Sequence, residues 1–178
     1  LRKVKPDVIY AALSGFGLDG PYRDRPSFAP IAEAMSGWMR LTGDIIDPQG
    51  PPIRPAEYHG DLDPALWAAV AILGALSYRE RTGEGQMLDV AQLDCVILHL
   101  GVPISNYLAS GKLAWEIWRD RPTSAILFGI FKASDGYVYI AAEGAQTDRL
   151  KKAIGRDLEG NEELAAWTRE QTVKHIVD

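Results

Sequence analysis

Val8 to Leu13, VIYAAL, is a short unbroken apolar run with β-branched members. It is entered from Pro6-Asp7 and left at Ser14-Gly15, and it predicts a buried strand. From Ser27 to Leu41 the apolar positions Phe28, Ile31, Ala32, Met35, Trp38, Met39 and Leu41 recur at helical spacing, with Pro30 placed in the first turn. Gly43 to Arg54 is rich in proline and glycine and reads as loop. Pro64 to Leu76 is apolar all round, which predicts a helix buried on most faces, with Asp63 as N-cap and Pro64 in the first turn. Tyr78 to Gly85 carries the charges of an exposed helix end, and Gly83 marks the stop. Met87 to Val90 is a short strand candidate. Ala91 to Ala109 is again helical and apolar, with Pro103 as the expected kink.

Past Ala109 the character changes. Gly111 to Ala125 is charged, has no clean period and holds Trp115 and Trp118, two side chains that need burial; it reads as a linker. Ile126 to Lys132 and Tyr137 to Ala142 flank Ser134-Asp135-Gly136 and predict a β-hairpin. Thr147–Ile154, Asn161–Trp167 and Thr172–Asp178 are helix candidates. The domain reading is therefore residues 1–110 as part of a larger α/β domain, 111–125 as linker, and 126–178 as the start of a smaller α+β domain.

The chain has 178 residues, 47% hydrophobic and 24% charged, within the range of folded globular proteins. Its net charge of −5, without a basic patch, argues against a nucleic-acid partner. The apolar run Pro64–Leu76 is too short to span a bilayer, so no membrane partner is expected. The lone Cys95 lies in an apolar run and reads as buried filler in a reducing compartment, with the cytoplasm as the expected location. The chain opens Leu-Arg-Lys, without a signal-peptide pattern, and closes on the helix-like TVKHIVD; both ends read as cuts through a larger protein.

Two stretches carry candidate chemistry. SGFGLDGPY, residues 14–22, is a glycine-rich loop directly after a buried strand, where open α/β sheets place ligands. It matches neither nucleotide phosphate-loop spacing, and Phe16 and Tyr22 are either a ligand wall or loop anchors. In EYHGDLDP, residues 57–64, four ionisable side chains crowd ahead of the apolar helix. Asp63 has a capping role there and Asp61 has none, which makes Asp61 the candidate for chemistry. Glu57, His59 and Asp63 match no standard metal pattern, so no metal is expected. His99, alone on its apolar helix, reads as a satisfied or surface histidine.

Three stretches in order, IYAALSGFGLDGPYRDRPSFAPIAEAMSGWMRLTG, DLDPALWAAVAILGALSYRERTGEGQMLDVAQLD and FGIFKASDGYVYIAA, resemble the class III coenzyme A transferases, the CaiB/BaiF family. The resemblance implies a Rossmann-like parallel-sheet large domain, an inserted small domain and an interlocked homodimer of subunits about twice this length. It implies an aspartate nucleophile ahead of the apolar helix, which falls on Asp61. It places Ser14, Gly15, Phe16, Gly17, Tyr22 and Gly60 near the thioester and pantetheine, with main-chain N–H groups of Gly15 to Gly17 or near Gly60 as oxyanion donors. Coenzyme A enters as substrate and product, and no cofactor is held permanently. The partners are an acyl-CoA and a small carboxylic acid. The family pattern continues Thr-Ala-Gly where this chain has Asp63-Pro64-Ala65. Racemases of the same fold carry a histidine followed by aspartate where this chain reads Pro26-Ser27-Phe28-Ala29-Pro30. A racemase or isomerase would need His59 as substitute base; a non-catalytic fragment or paralogue is the other alternative.

Overall fold

The computed structural model describes residues 3–113, 116–117 and 126–177. The chain divides into two units, Leu1–Arg119 and Asp120–Asp178, a mixed α/β arrangement with a parallel sheet followed by an antiparallel one. Trp115 and Trp118, read above as packing residues, lie outside the described residues.

In the first unit, β1 (Tyr10–Ser14) and β2 (Met87–Ala91) are parallel neighbours in register from Tyr10↔Met87 to Ser14↔Ala91. Their connection is helical: α1 (Ala29–Met35), α2 (Trp38–Ile46) and the long α3 (His59–Thr82). α4 (Gln92–Ile97) follows β2 without a loop. A 3₁₀ turn, Leu98–Leu100, then leads into α5 (Gly101–Ser110). That turn is the kink expected from Pro103, whose ring crowds the carbonyl four residues back, at His99.

Several expectations need correction. The stripe from Ser27 to Leu41 is two helices, parted at Gly37 with φ +89. The second runs on into the stretch read as loop, to Ile46. Gly43 sits inside that helix because the Pro51 backbone passes close over it, where a Cβ would collide. The Arg40–Asp44 ion pair one turn apart supports the same helix. α3 begins at His59, with Tyr58 as N-cap and no side-chain cap bond. Asp63 is therefore inside the helix, not at its cap, and Pro64 lies past the first turn and offers no N–H to the Gly60 carbonyl. Nor is α3 buried all round. Gly60, Asp63, Pro64, Ala68 and Ala75 are buried, while Leu66, Val70 and Leu73 are exposed.

Length also differs from expectation. α3 has 24 residues, and α3 and the segment Gln92–Ser110 are long and apolar enough to cross a membrane by length and composition. The uncharged part of α3, Pro64–Tyr78, spans roughly 22 Å, short of a bilayer core of about 30 Å. Elsewhere in the first unit Ala68 and Val90 pack with Cys95, which is buried as read.

In the second unit, β3 (Ile126–Lys132) and β4 (Tyr137–Glu143) form the expected hairpin, closed by Ala133 N–H donating to the Gly136 carbonyl at 2.9 Å. The alternation along β4 turns Val138, Ile140 and Ala142 inward, opposite Leu127 and Phe131 of β3. Three helices follow: α6 (Ala145–Ile154), α7 (Asn161–Glu170) and α8 (Val173–Val177). Leu164 of α7 and Leu158 join that core. Asn161 locks α7 to β3 by bonding both the N–H and the carbonyl of Phe128.

Candidate active site

The parallel strands β1 and β2 end side by side at Ser14 and Ala91, and both continue into the candidate site. A cleft of about 260 Å³ opens there, lined by Leu13, Ser14, Gly15, Ser27, Asp61, Pro64 and Gln92. This is the carboxyl end of a parallel sheet, where no further strand residues fill the space and helix N-termini converge.

Asp61 reaches the cleft from the first turn of α3, and its Oδ1 accepts a hydrogen bond from Gln92 Nε2 at 2.7 Å. The first-turn N–H groups favour negative charge at this position. Among the described residues the Asp61 carboxylate takes no bond from the helix backbone, so the capping role open to a turn aspartate is not the one it has.

Gly60 holds α3 in place. It is buried against the Ala29 backbone, which leaves no room for a Cβ. Its N–H donates to Glu33 Oε1 at 3.1 Å, so this donor is committed to the protein and not offered to a ligand. Glu33 is fully buried and its Oε2 has no partner. On sequence Glu33 lay between Ala32 and Ala34 with nothing to mark it as interior. Only the approach of α1 to α3 through Gly60 and Ala29 puts it there.

The glycine loop is folded largely on its own bonds. Gly17 N–H donates to Ser14 Oγ at 2.9 Å, and Leu18 N–H donates to Asp89 Oδ2 at 2.8 Å. Gly17 and Gly20 take positive φ, +88 and +83, which glycine alone adopts without strain. A Cβ on Gly15 would run into the Ser27 side chain, so glycine is required where the loop crosses the start of α1. Phe16 and Tyr22 pack edge to face, 5.6 Å between centroids, and the Arg25 guanidinium lies 4.0 Å over Tyr22. Of the candidates read from sequence, Ser14, Gly15 and Asp61 line the cleft. Phe16, Gly17, Tyr22 and Gly60 do not.

Asp63 faces away from this cleft into a ring cluster. It is buried, accepts from His99 Nε2 at 2.7 Å and lies 3.7 Å from His59 Nδ1. Trp38 stacks on His99 at 5.0 Å and lies 4.7 Å from His59. His99 is thus a satisfied histidine, as read, and His59 is engaged away from the cleft-lining set. Among the described residues no three His, Cys, Asp or Glu side chains gather as a metal site. Cys95, the one thiol, is buried; burial pushes its pKa up, and the charges of Asp94 and Asp63 add to this, so it is poor material for a nucleophile. Gln92 is the residue sequence reasoning missed. Its signal was a polar side chain directly after a strand candidate, at the sheet's ligand edge.

The fold and this cleft define an α/β protein whose ligand edge presents a carboxylate. The CoA-transferase family III profile matches residues 1–177, and the chain belongs to that family. It is 37% identical over 146 residues to succinyl-CoA:mesaconate CoA-transferase of Haloarcula hispanica, covering 80% of this chain and 36% of that protein. It is 36% identical to succinyl-CoA:glutarate CoA-transferase of Mus musculus, covering 82% of this chain and 33% of that protein. A CaiB/BaiF family crystal structure from Brucella suis superposes with a TM-score of 0.77 at 29% identity, over 99% of this chain and 50% of the other. The chain therefore spans about a third of the length of these curated relatives and half of that solved chain.

Proposed function

We propose that the protein carrying this chain transfers coenzyme A from an acyl-CoA thioester to a free carboxylic acid, with Asp61 as the nucleophile. The observation that carries the reading is the position of Asp61: first turn of α3, in the cleft at the carboxyl ends of two parallel strands, its carboxylate held by a side chain and not by its own helix. The family membership and the names of the relatives agree with it.

The chemistry needs a carboxylate on the protein. One Asp61 oxygen attacks the thioester carbonyl, the C–S bond breaks, and the coenzyme A thiolate leaves an aspartyl acyl anhydride. The thiolate then attacks the aspartyl carbonyl and expels the donor acid as carboxylate, leaving an aspartyl–CoA thioester. The acceptor carboxylate enters at the same carbonyl, releases thiolate and forms a second anhydride. Thiolate attack on the acceptor's acyl carbon completes the new acyl-CoA and frees Asp61. The short aspartate arm on a helix fixes the angle of each attack. Ser14 and Gly15 line the same cleft. Phe16, Gly17, Tyr22 and Gly60 shape the loop and the helix seat around it.

The partners of this reading are the acyl-CoA, a small carboxylic acid and a second copy of the subunit, interlocked as in the family. The exposed apolar residues of α3 and α5 are surfaces that further polypeptide would cover. No observation favours a racemase, since His59 is engaged with Trp38 and Asp63. The test is Asp61→Ala in the complete polypeptide, assayed by passage of a labelled free acid into the acyl-CoA pool. Transfer should fall at least about 10³-fold with an unchanged thermal midpoint. Label exchange at the unmodified rate would overturn the assignment.

A further inference from the structure

Gln92 is not explained by packing. It is the first residue of α4, immediately after β2, and its Nε2 donates to Asp61 Oδ1 at 2.7 Å. Its Oε1 is buried and has no hydrogen-bond partner. Buried amides normally pair both ends, and an orphaned one calls for a reason. Turning the amide end for end would set Oε1 against a carboxylate oxygen, two acceptors with no proton between them. The side chain is thus held in the one orientation that serves Asp61, at the expense of its own oxygen. The backbone around it is anchored as well. Leu93 N–H donates to the Gly15 carbonyl at 3.1 Å, and Ala91 is in register with Ser14. Gln92 and Asp61 line the same cleft.

We propose that Gln92 orients the nucleophile and stabilises the charge that develops on it, an inference that rests on the reading of Asp61 given above. With Oδ1 bound to the amide N–H, Oδ2 is the oxygen left to attack the thioester carbon. After acylation Oδ1 is the carbonyl oxygen of the anhydride. When thiolate adds to the aspartyl carbon, Oδ1 takes the negative charge; it then re-forms the C=O bond as Cγ–Oδ2 breaks, and Oδ2 leaves with the charge in the donor carboxylate. The Gln92 N–H is already on that oxygen and strengthens its bond as the charge grows. A leucine of similar volume would fill the space and supply no donor.

The experiment compares Gln92→Leu, Gln92→Glu and Asp61→Ala with the unmodified complete polypeptide, reading kcat, KM for acyl-CoA, thermal midpoint and pH profile. Gln92→Leu should lower kcat about 10²-fold, the scale for loss of one oxyanion donor, and leave KM within about threefold. Gln92→Glu puts two carboxylates in contact, which share a single proton, and the singly protonated pair restores the donor. Its activity relative to the unmodified protein should rise as the pH is lowered, while that of Gln92→Leu stays flat. A Gln92→Leu kcat within about threefold of the unmodified protein overturns the inference. So does a Gln92→Glu profile with no relative gain in acid, and this near-isosteric variant decides if the leucine variant fails to fold. Transfer that survives Asp61→Ala removes the nucleophile reading itself. A Gln92 null result beside a dead Asp61→Ala leaves that reading intact and removes only the role of Gln92.

Discussion

Leu164 in the second unit has no exposed surface, while Leu73 in the first has 67% of its own in solvent. The contrast runs through both units. The second closes a core of large side chains, Leu127, Phe131, Val138, Ile140, Leu158 and Leu164, between one hairpin face and its helices. The first brings its elements together through small residues, Gly15, Ala29, Ala32, Gly60 and Ala68, and leaves much of its apolar bulk outside. Close approach of backbones is what places Asp61 and Gln92 at one cleft. Side-chain burial is what holds the hairpin unit. The candidate chemistry lies where positions are set by the absence of side chains, and the two units should respond to different kinds of substitution.

The largest structural effect is expected where the core is closed. Leu164→Ala should destabilise the hairpin unit by about 2–5 kcal/mol, the range for a fully buried leucine whose cavity does not collapse. Urea or thermal unfolding of the chain measures it. A cost below about 1 kcal/mol would mean that the second unit is as loosely filled as the first.

The two units also differed in how far their sequences disclosed them. In the hairpin unit two apolar runs flank the Ser134-Asp135-Gly136 turn, and strands, turn and helix positions were legible within a few residues. In the first unit β1, β2 and the helical character of α3 were readable because apolar runs and glycine stops mark them. The start of α3 was not. Asp63-Pro64 looks like a cap and first turn by local rules, but Gly60 nests against Ala29 and Glu33 receives its N–H, so tertiary contact carries the helix back to His59. That extension moves Asp61 from a turn into the helix and Asp63 from a cap into a buried contact with His99. The break at Gly37 was hidden because Met35, Trp38 and Met39 continue an apolar stripe across it. Asp61 stood out by having no local role, and that holds in the fold. Gln92 was invisible as a partner because nothing local links residues so distant along the chain; the packing of α3 against α4 does.

Gly60→Ala sharpens the comparison at intermediate size. Alanine is the better helix former by up to about 1 kcal/mol. The added Cβ, however, meets the Ala29 backbone, which cannot rotate aside, and such overpacking costs about 1–3 kcal/mol. The net change should be destabilising. In the complete polypeptide transfer activity should fall more than stability, because the shift moves the turn that bears Asp61. A variant as stable and as active as the unmodified protein would show that the contact yields without cost and that small residues are not what seats the site.

The smallest effect is expected at Leu73, and it probes the comparison most directly. In this chain Leu73→Ala removes an exposed side chain from a helix that alanine favours, so the change should stay within about 0.5 kcal/mol. If the open face of α3 is covered by further polypeptide in the complete protein, the same substitution there should cost about 2–5 kcal/mol. Unfolding both forms with and without the substitution isolates the difference from every effect the two share. Equal, small costs in both would mean that the apolar face of α3 stays open in the complete protein. The first unit's loose filling would then be a property of its architecture, not of the span of sequence described here.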